Sequence, residues 1–173
     1  MTSVNDLKEE FESQLNRLIG KPCWAIYAGK ATGSNLDISF GRKIPRAIPL
    51  LGEHLTEDQR YHDAEFSLYI TCAWRLDGKS KVICGATELT PEEGGTCTGL
   101  DVLVDKRVES VQLYGPAFDL TIGFEGFMFL KIFCDQTDAD DEYCTNYSLH
   151  TREKIYVVGP CSQLRYEIPQ RRM

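Results

Sequence analysis

Trp74 and Arg75 are the first residues whose types and placement could do chemistry. They close a run, residues 66 to 76, in which Leu68, Ile70, Cys72 and Trp74 alternate with Ser67, Tyr69, Thr71, Ala73 and Arg75. Alternation puts Trp74 on an apolar face and Arg75 on the opposite one. A rigid guanidinium fork suits a carboxylate or a phosphate, so Arg75 is a candidate anchor for an anion or a partner. The competing expectation is an ion pair within the chain, to one of its 26 acidic residues. A second concentration of charge is Asp135, Asp138, Asp140, Asp141 and Glu142, in a stretch from 135 to 142 without a single base. Clustered carboxylates suit a hard cation such as calcium. The spacing, however, lacks the glycine turn and distal glutamate of an EF-hand. Contact with a basic partner surface therefore ranks above metal, and a solvated loop is the default.

The other reactive side chains are dispersed. Cysteines stand at 23, 72, 84, 97, 134, 144 and 161, seven in all, with no Cys-x-x-Cys. That pattern predicts free thiols in a reducing cytoplasm. His54, His62 and His150 lie far apart, so neither they nor the cysteines form a zinc signature. Residues 93 to 96, Glu-Gly-Gly-Thr, lack the lysine of a phosphate loop. No nucleophile elbow supports Ser-His-Asp chemistry. A Cys-His pair assembled only in space stays open. No metal and no cofactor is expected.

The scaffold is read from hydropathy. Val4, Leu7, Phe11, Leu15 and Leu18 recur at helical spacing and predict an amphipathic helix over 3–18. Its charged residues leave no apolar core for a secretory leader, and no stretch of the chain approaches the length of a membrane span. Beyond Gly20 the period becomes that of strands. Leu36, Ile38 and Phe40 alternate with Asp37 and Ser39. Residues 42 to 64, with Pro45 and Pro49, read as an insertion that holds a short helix near 56–62. Residues 66 to 76 read as one long strand, and Asp77-Gly78 as the turn to a return strand over 81–85. Residues 89 to 99 read as a linker. Strands follow at about 107–114, 118–124 and 127–134, then a hairpin over 145–149 and 154–158, and an edge strand near 164–168.

Three blocks recur in order. Residues 18 to 26 read like 103 to 111, and residues 35 to 40 like 119 to 124. The pair formed by 74–76 and 81–85 reads like 147–149 and 154–159. The expected fold is mainly β, a single domain of two tandem antiparallel units over about 18–89 and 103–164. They would form a pseudo-twofold sandwich or a partly closed barrel with an N-terminal amphipathic helix.

Residues 67 to 76 with 82 to 85 resemble the strand pair of a family of small uncharacterised bacterial proteins. That family has a C-x-W-R strand followed by a glycine-ended strand. Residues 119 to 124 and 130 to 133 resemble its second half, while Tyr147-Ser148 stands in place of a second Trp-Arg. Some members are immunity-like interaction proteins, and the resemblance implies no catalytic residues.

The chain of 173 residues has a net charge of -7 and a pI near 5.0. An acidic surface argues against nucleic acid and suits a basic protein partner. The expectation is a non-enzymatic cytoplasmic binding protein, engaging its partner through Arg75, Asp138, Asp140, Asp141 and Glu142. A small-ligand site in the cleft between the units is the alternative, ahead of a metal-dependent hydrolase.

Overall fold

A computed structural model describes residues 4–28, 35–52, 55–87, 99–138 and 144–169. Helix α1 (Val4–Asn16) is followed by β1 (Cys23–Tyr27), β2 (Leu36–Pro45), helix α2 (Glu57–Tyr61), β3 (His62–Ile70), β4 (Ala73–Asp77) and β5 (Val82–Gly85). The second half holds β6 (Val108–Tyr114), β7 (Asp119–Phe124), β8 (Met128–Phe133), β9 (Tyr147–His150), β10 (Ile155–Val158) and β11 (Leu164–Glu167). The strands form two sheets, in the orders β1-β2-β3-β9-β10-β11 and β5-β4-β8-β7-β6, with every pairing antiparallel. The sheets do not close into a barrel. They are two open layers sharing one core.

The same plan is laid down twice. A three-strand meander, β1-β2-β3 or β6-β7-β8, is followed by a hairpin, β4-β5 or β9-β10. Each hairpin pairs with the last strand of the other meander. The registers agree residue by residue. Ile70 opposes Tyr147 as Ile132 opposes Trp74, and Leu68 opposes Leu149 as Leu130 opposes Leu76. Even the irregularities coincide: β1 bulges against β2 between Cys23 and Ala25, and β6 against β7 between Val108 and Ser110. In the return strands the blocks slip by one residue, because Arg75 faces Gly85 whereas Ser148 faces Val157.

Where the two meanders begin, backbone joins backbone. Gly20 N–H donates to the Val108 carbonyl (2.8 Å) and Val108 N–H to Lys21 (3.0 Å). Their counterparts run from Asp105 N–H to Cys23 (2.7 Å) and from Cys23 N–H to Lys106 (2.8 Å). Pro22 and Arg107 form the bridge between them. Beneath it the rings of Phe40 and Phe124, the two matched residues, stack at 6.3 Å with both side chains buried. At this point the two units meet through buried core.

Helix α1 lies between the edge strands β6 and β11 of the two sheets and touches both. Phe11 packs 5.6 Å from Tyr156 and 6.3 Å from Tyr147. Glu10 Oε1 receives Lys154 Nζ (2.6 Å) and the Tyr156 hydroxyl (2.5 Å), which fixes the helix along its polar border. The helix ends at Asn16, and Leu18 is buried in the turn that follows.

Two predicted elements change. The single strand over 66–76 is two strands in different sheets, broken at Thr71-Cys72. Both amides there donate to the Asn146 carbonyl (2.9 and 3.1 Å), and Thr71 Oγ1 bonds the Thr145 carbonyl. The inward parity of Leu68, Ile70, Cys72, Trp74 and Leu76 continues through the corner, so alternation alone could not reveal it. Residues 42 to 64 are less of an insertion than predicted. β2 and β3 keep pairing out to Pro45 and His62, past an irregularity between Phe40 and Lys43. Gly41 permits that irregularity. Its φ is +78°, and a Cβ there would sit 2.5 Å from Glu65 Oε2. The short helix is present as α2, with a capping box between Thr56 and Gln59.

Phe40→Ala and Phe124→Ala are each expected to cost about 3–5 kcal/mol in urea unfolding. Because the rings touch, the double variant should depart from additivity by at least about 0.5 kcal/mol. Strictly additive losses would show that the two units do not share this contact.

Candidate functional site

The outer faces of the two sheets put different chemistry on matched positions. On the five-stranded sheet, Arg75, Asp77, Phe129, Lys131 and Phe133 occupy neighbouring outward positions of β4 and β8. Arg75 grips Asp77 with two bonds, Nε to Oδ1 at 2.7 Å and a terminal nitrogen to Oδ2 at 3.1 Å. Lys131 Nζ reaches the same Oδ2 at 2.9 Å. These bonds, Arg75 first, hold the Asp77 carboxyl below the ordinary range. The guanidinium also lies 5.7 Å from the Phe133 ring centroid. Arg75 therefore has its internal carboxylate partner, the competing expectation from the sequence, and is pre-set beside two half-exposed phenylalanines. Tyr114, Val82 and Phe127 add exposed apolar surface, and Lys79 stands over Phe127.

Asp138, the first residue of the predicted acidic site after Asp135, is exposed a few residues beyond β8. Asp140, Asp141 and Glu142 lie outside the described residues. Among the described residues no group of histidine, cysteine or carboxylate side chains is arranged to hold a metal.

On the six-stranded sheet the matched positions carry hydroxyls, an imidazole and a carboxylate. One row across the strands reads Tyr27, Asp37, Tyr69, Ser148 and Val157. The next reads Ala25, Ser39, Ser67, His150 and Ile155. Ser67 Oγ donates to Asp37 Oδ1 at 2.5 Å, Ser148 Oγ lies 2.8 Å from His150 Nε2, and Asn35 Nδ2 donates to the Tyr69 hydroxyl at 3.0 Å. Ala25, Ser148 and Val157 are buried although they stand on these outward positions, so this part of the face is closed off from water. Burial pushes the Asp37 carboxyl up, against the Ser67 bond and the nearby imidazole. Burial likewise pushes His150 down, against the pull of Asp37 and Glu167.

His150 joins this cluster although the three histidines are far apart in the sequence. The signal was present in the polar alternates of three strands: Asp37 and Ser39, Ser67 and Tyr69, Ser148 and His150. What could not be read was that β3 pairs with β9.

Two buried thiols, Cys72 and Cys23, are held protonated. Contact with Cys134 and burial both push the Cys72 thiol far up, and burial pushes Cys23 up to about 12. Trp74 and Tyr147 hold matched, buried positions. The Tyr147 hydroxyl bonds the Phe118 carbonyl at 2.8 Å.

No protein family, no curated protein and no solved structure matches this chain. The functional reading rests on geometry.

His150 gives a pH signature. Its folded pKa lies below the 6.5 of a free imidazole, so its contribution to stability is complete above pH 6.5. That contribution falls as pH drops from there towards the folded value, because the unfolded chain takes up the proton first. Asp37 has the opposite slope, losing stability as pH rises from 3.8 through its raised folded value. In thermal melts between pH 4 and 8 (about the range where both titrate), His150→Asn should flatten the loss below pH 6.5. An unchanged profile would place the imidazole in water.

Proposed function

We propose that this chain is a non-enzymatic interaction protein that engages a basic protein partner through the outer face of its five-stranded sheet. The observation that carries this reading is the ordered aromatic and charged ladder of that face. Phe129 and Phe133 flank Lys131, Asp77 and Arg75, whose charges are already paired before any partner arrives. Aromatic rings and arginine supply most of the energy of protein interfaces, and preordering lowers the entropy lost on docking. Ser67 stands at the position matched to Phe129, so the shared scaffold does not require a phenylalanine there.

The acidic stretch begins just past Phe133, and the net charge of -7 gives long-range attraction to a basic surface. Asp138, Asp140, Asp141 and Glu142 would act at the rim of this contact, raising the association rate more than the affinity. An immunity-like role in a bacterial cytoplasm is the biological setting we infer from the family resemblance. An internal duplication is the origin we infer for the two units, supported by their common registers and bulges. A small-ligand role is favoured by a separate observation, the partly buried polar face of the other sheet.

The test is capture of the partner by the tagged chain from its native host, followed by binding measurements with the purified pair. Phe129→Ser combined with Phe133→Ser should weaken the complex at least about tenfold, with the melting temperature little changed. Asparagine at 138, 140 and 141 should slow association and flatten its salt dependence. Equal affinity of the double serine variant would place the interface elsewhere.

A further inference from the structure

We propose that Asp37, set between Tyr27 and Tyr69 on the partly buried polar face of the six-stranded sheet, is a receptor for a single organic cation, a protonated amine or a guanidinium. The site goes beyond the partner surface proposed above, because it belongs to the other sheet.

The register supplies the geometry. Tyr27 of β1 and Tyr69 of β3 are the direct cross-strand partners of Asp37, one on each side. Directly opposed residues of antiparallel strands share a face and stand about 4.5–5.5 Å apart at Cβ. The carboxylate thus has a tyrosine on the strand to either side, and the face of a tyrosine ring attracts cations. Ser67 holds Oδ1, and among the described residues no further donor reaches the carboxylate and no basic side chain forms an ion pair with it. The neighbouring positions carry small side chains, Ala25, Ser39, Ser67 and Ser148. Burial makes the charged carboxylate costly and raises its pKa, against the Ser67 bond and the His150 imidazole. A ligand ammonium or guanidinium would offset that cost while gaining both ring contacts.

The molecule contains its own comparison. At the matched positions of the five-stranded sheet, Gln112, Thr121 and Lys131 stand in one cross-strand row. There the scaffold has no carboxylate and no rings, and it supplies a cation of its own that is paired with Asp77. The same backbone therefore does not call for Asp37 or its tyrosines.

The experiment titrates the full chain at pH 7.5 (about one unit above a free imidazole) with lysinamide, argininamide and tetramethylammonium chloride. A capped Gly-Lys-Gly peptide and sodium chloride of equal ionic strength complete the set. Binding is followed by NMR of the tyrosine ring signals. Saturable shifts with at least one organic cation and none with sodium are expected. Asp37→Thr, the residue of the matched position, should weaken that binding at least about tenfold, and Tyr69→Lys should abolish it. If the peptide binds as well as lysinamide, the cation is a side chain of a protein. If only the free cations bind, it is a small metabolite. Asp37→Asn serves if the threonine variant fails to fold, since it keeps the shape and removes the charge. No saturable binding by any of the cations, or equal binding by the charge-free variant, overturns the proposal. Neither result bears on the Phe129 and Phe133 surface, which is read out with the protein partner alone.

Discussion

Four backbone hydrogen bonds between residues 20–23 and 105–108 hold the rest of the structure in place. They are made in two matched pairs, so each unit donates to the other what it receives. Their position at the start of both meanders matters more than their number. Each backbone bond is worth only about 1 kcal/mol net. Leaving these amides unpaired beside the buried Leu18, Leu103, Cys23 and Val108 would cost more. Once the segments are joined, Phe40 and Phe124 must meet, and the two sheets face each other over a common apolar layer.

The second fixed point is the corner at Thr71-Cys72. Asn146 is fully buried and bonded on every side. Its carbonyl takes the two corner amides, its side chain donates to Gly159, its Oδ1 accepts from Gln136, and its own amide donates to Val158. One residue, through its backbone and its side chain together, thereby ties the crossing from β3 to β4 to the entry of β9. The outer faces inherit their registers from these two anchors. That is why Arg75, Lys131 and Asp77 converge on one sheet while Asp37, Ser67 and His150 converge on the other.

Much of the fold was legible because burial on one face of a strand leaves a period of two. Leu36, Ile38 and Phe40 announced β2, and their matches Leu120, Ile122 and Phe124 announced β7. Helical spacing from Val4 to Leu15 announced α1, though Leu18 belongs to the turn beyond it. The corner was hidden because its inward parity never lapses. The full length of β2 and β3 was hidden because their outer ends pair without burying much. Of the candidate residues, Arg75 was found from its place in the alternation, and its partner Asp77 lies two residues on, on the same face. The Asp37 site joins β1, β2, β3 and β9. That set is fixed by non-local pairing, about which local hydropathy says nothing.

The exchange of hairpins has a consequence for how the chain must assemble. β4-β5 completes the sheet begun by β6-β7-β8, and β9-β10 completes the one begun by β1-β2-β3. A lone half would bear an open edge on its meander and a hairpin with nowhere to lie. Two copies of such a half would satisfy each other, as protomers do when they swap an element. In this molecule the exchange is made within one chain, and each half completes the other's sheet. The stabilising pairings, Ile70 with Tyr147 and Ile132 with Trp74, bring together strands far apart in sequence. Those two joins are the ones that must close long loops, and pairings of that kind form slowly.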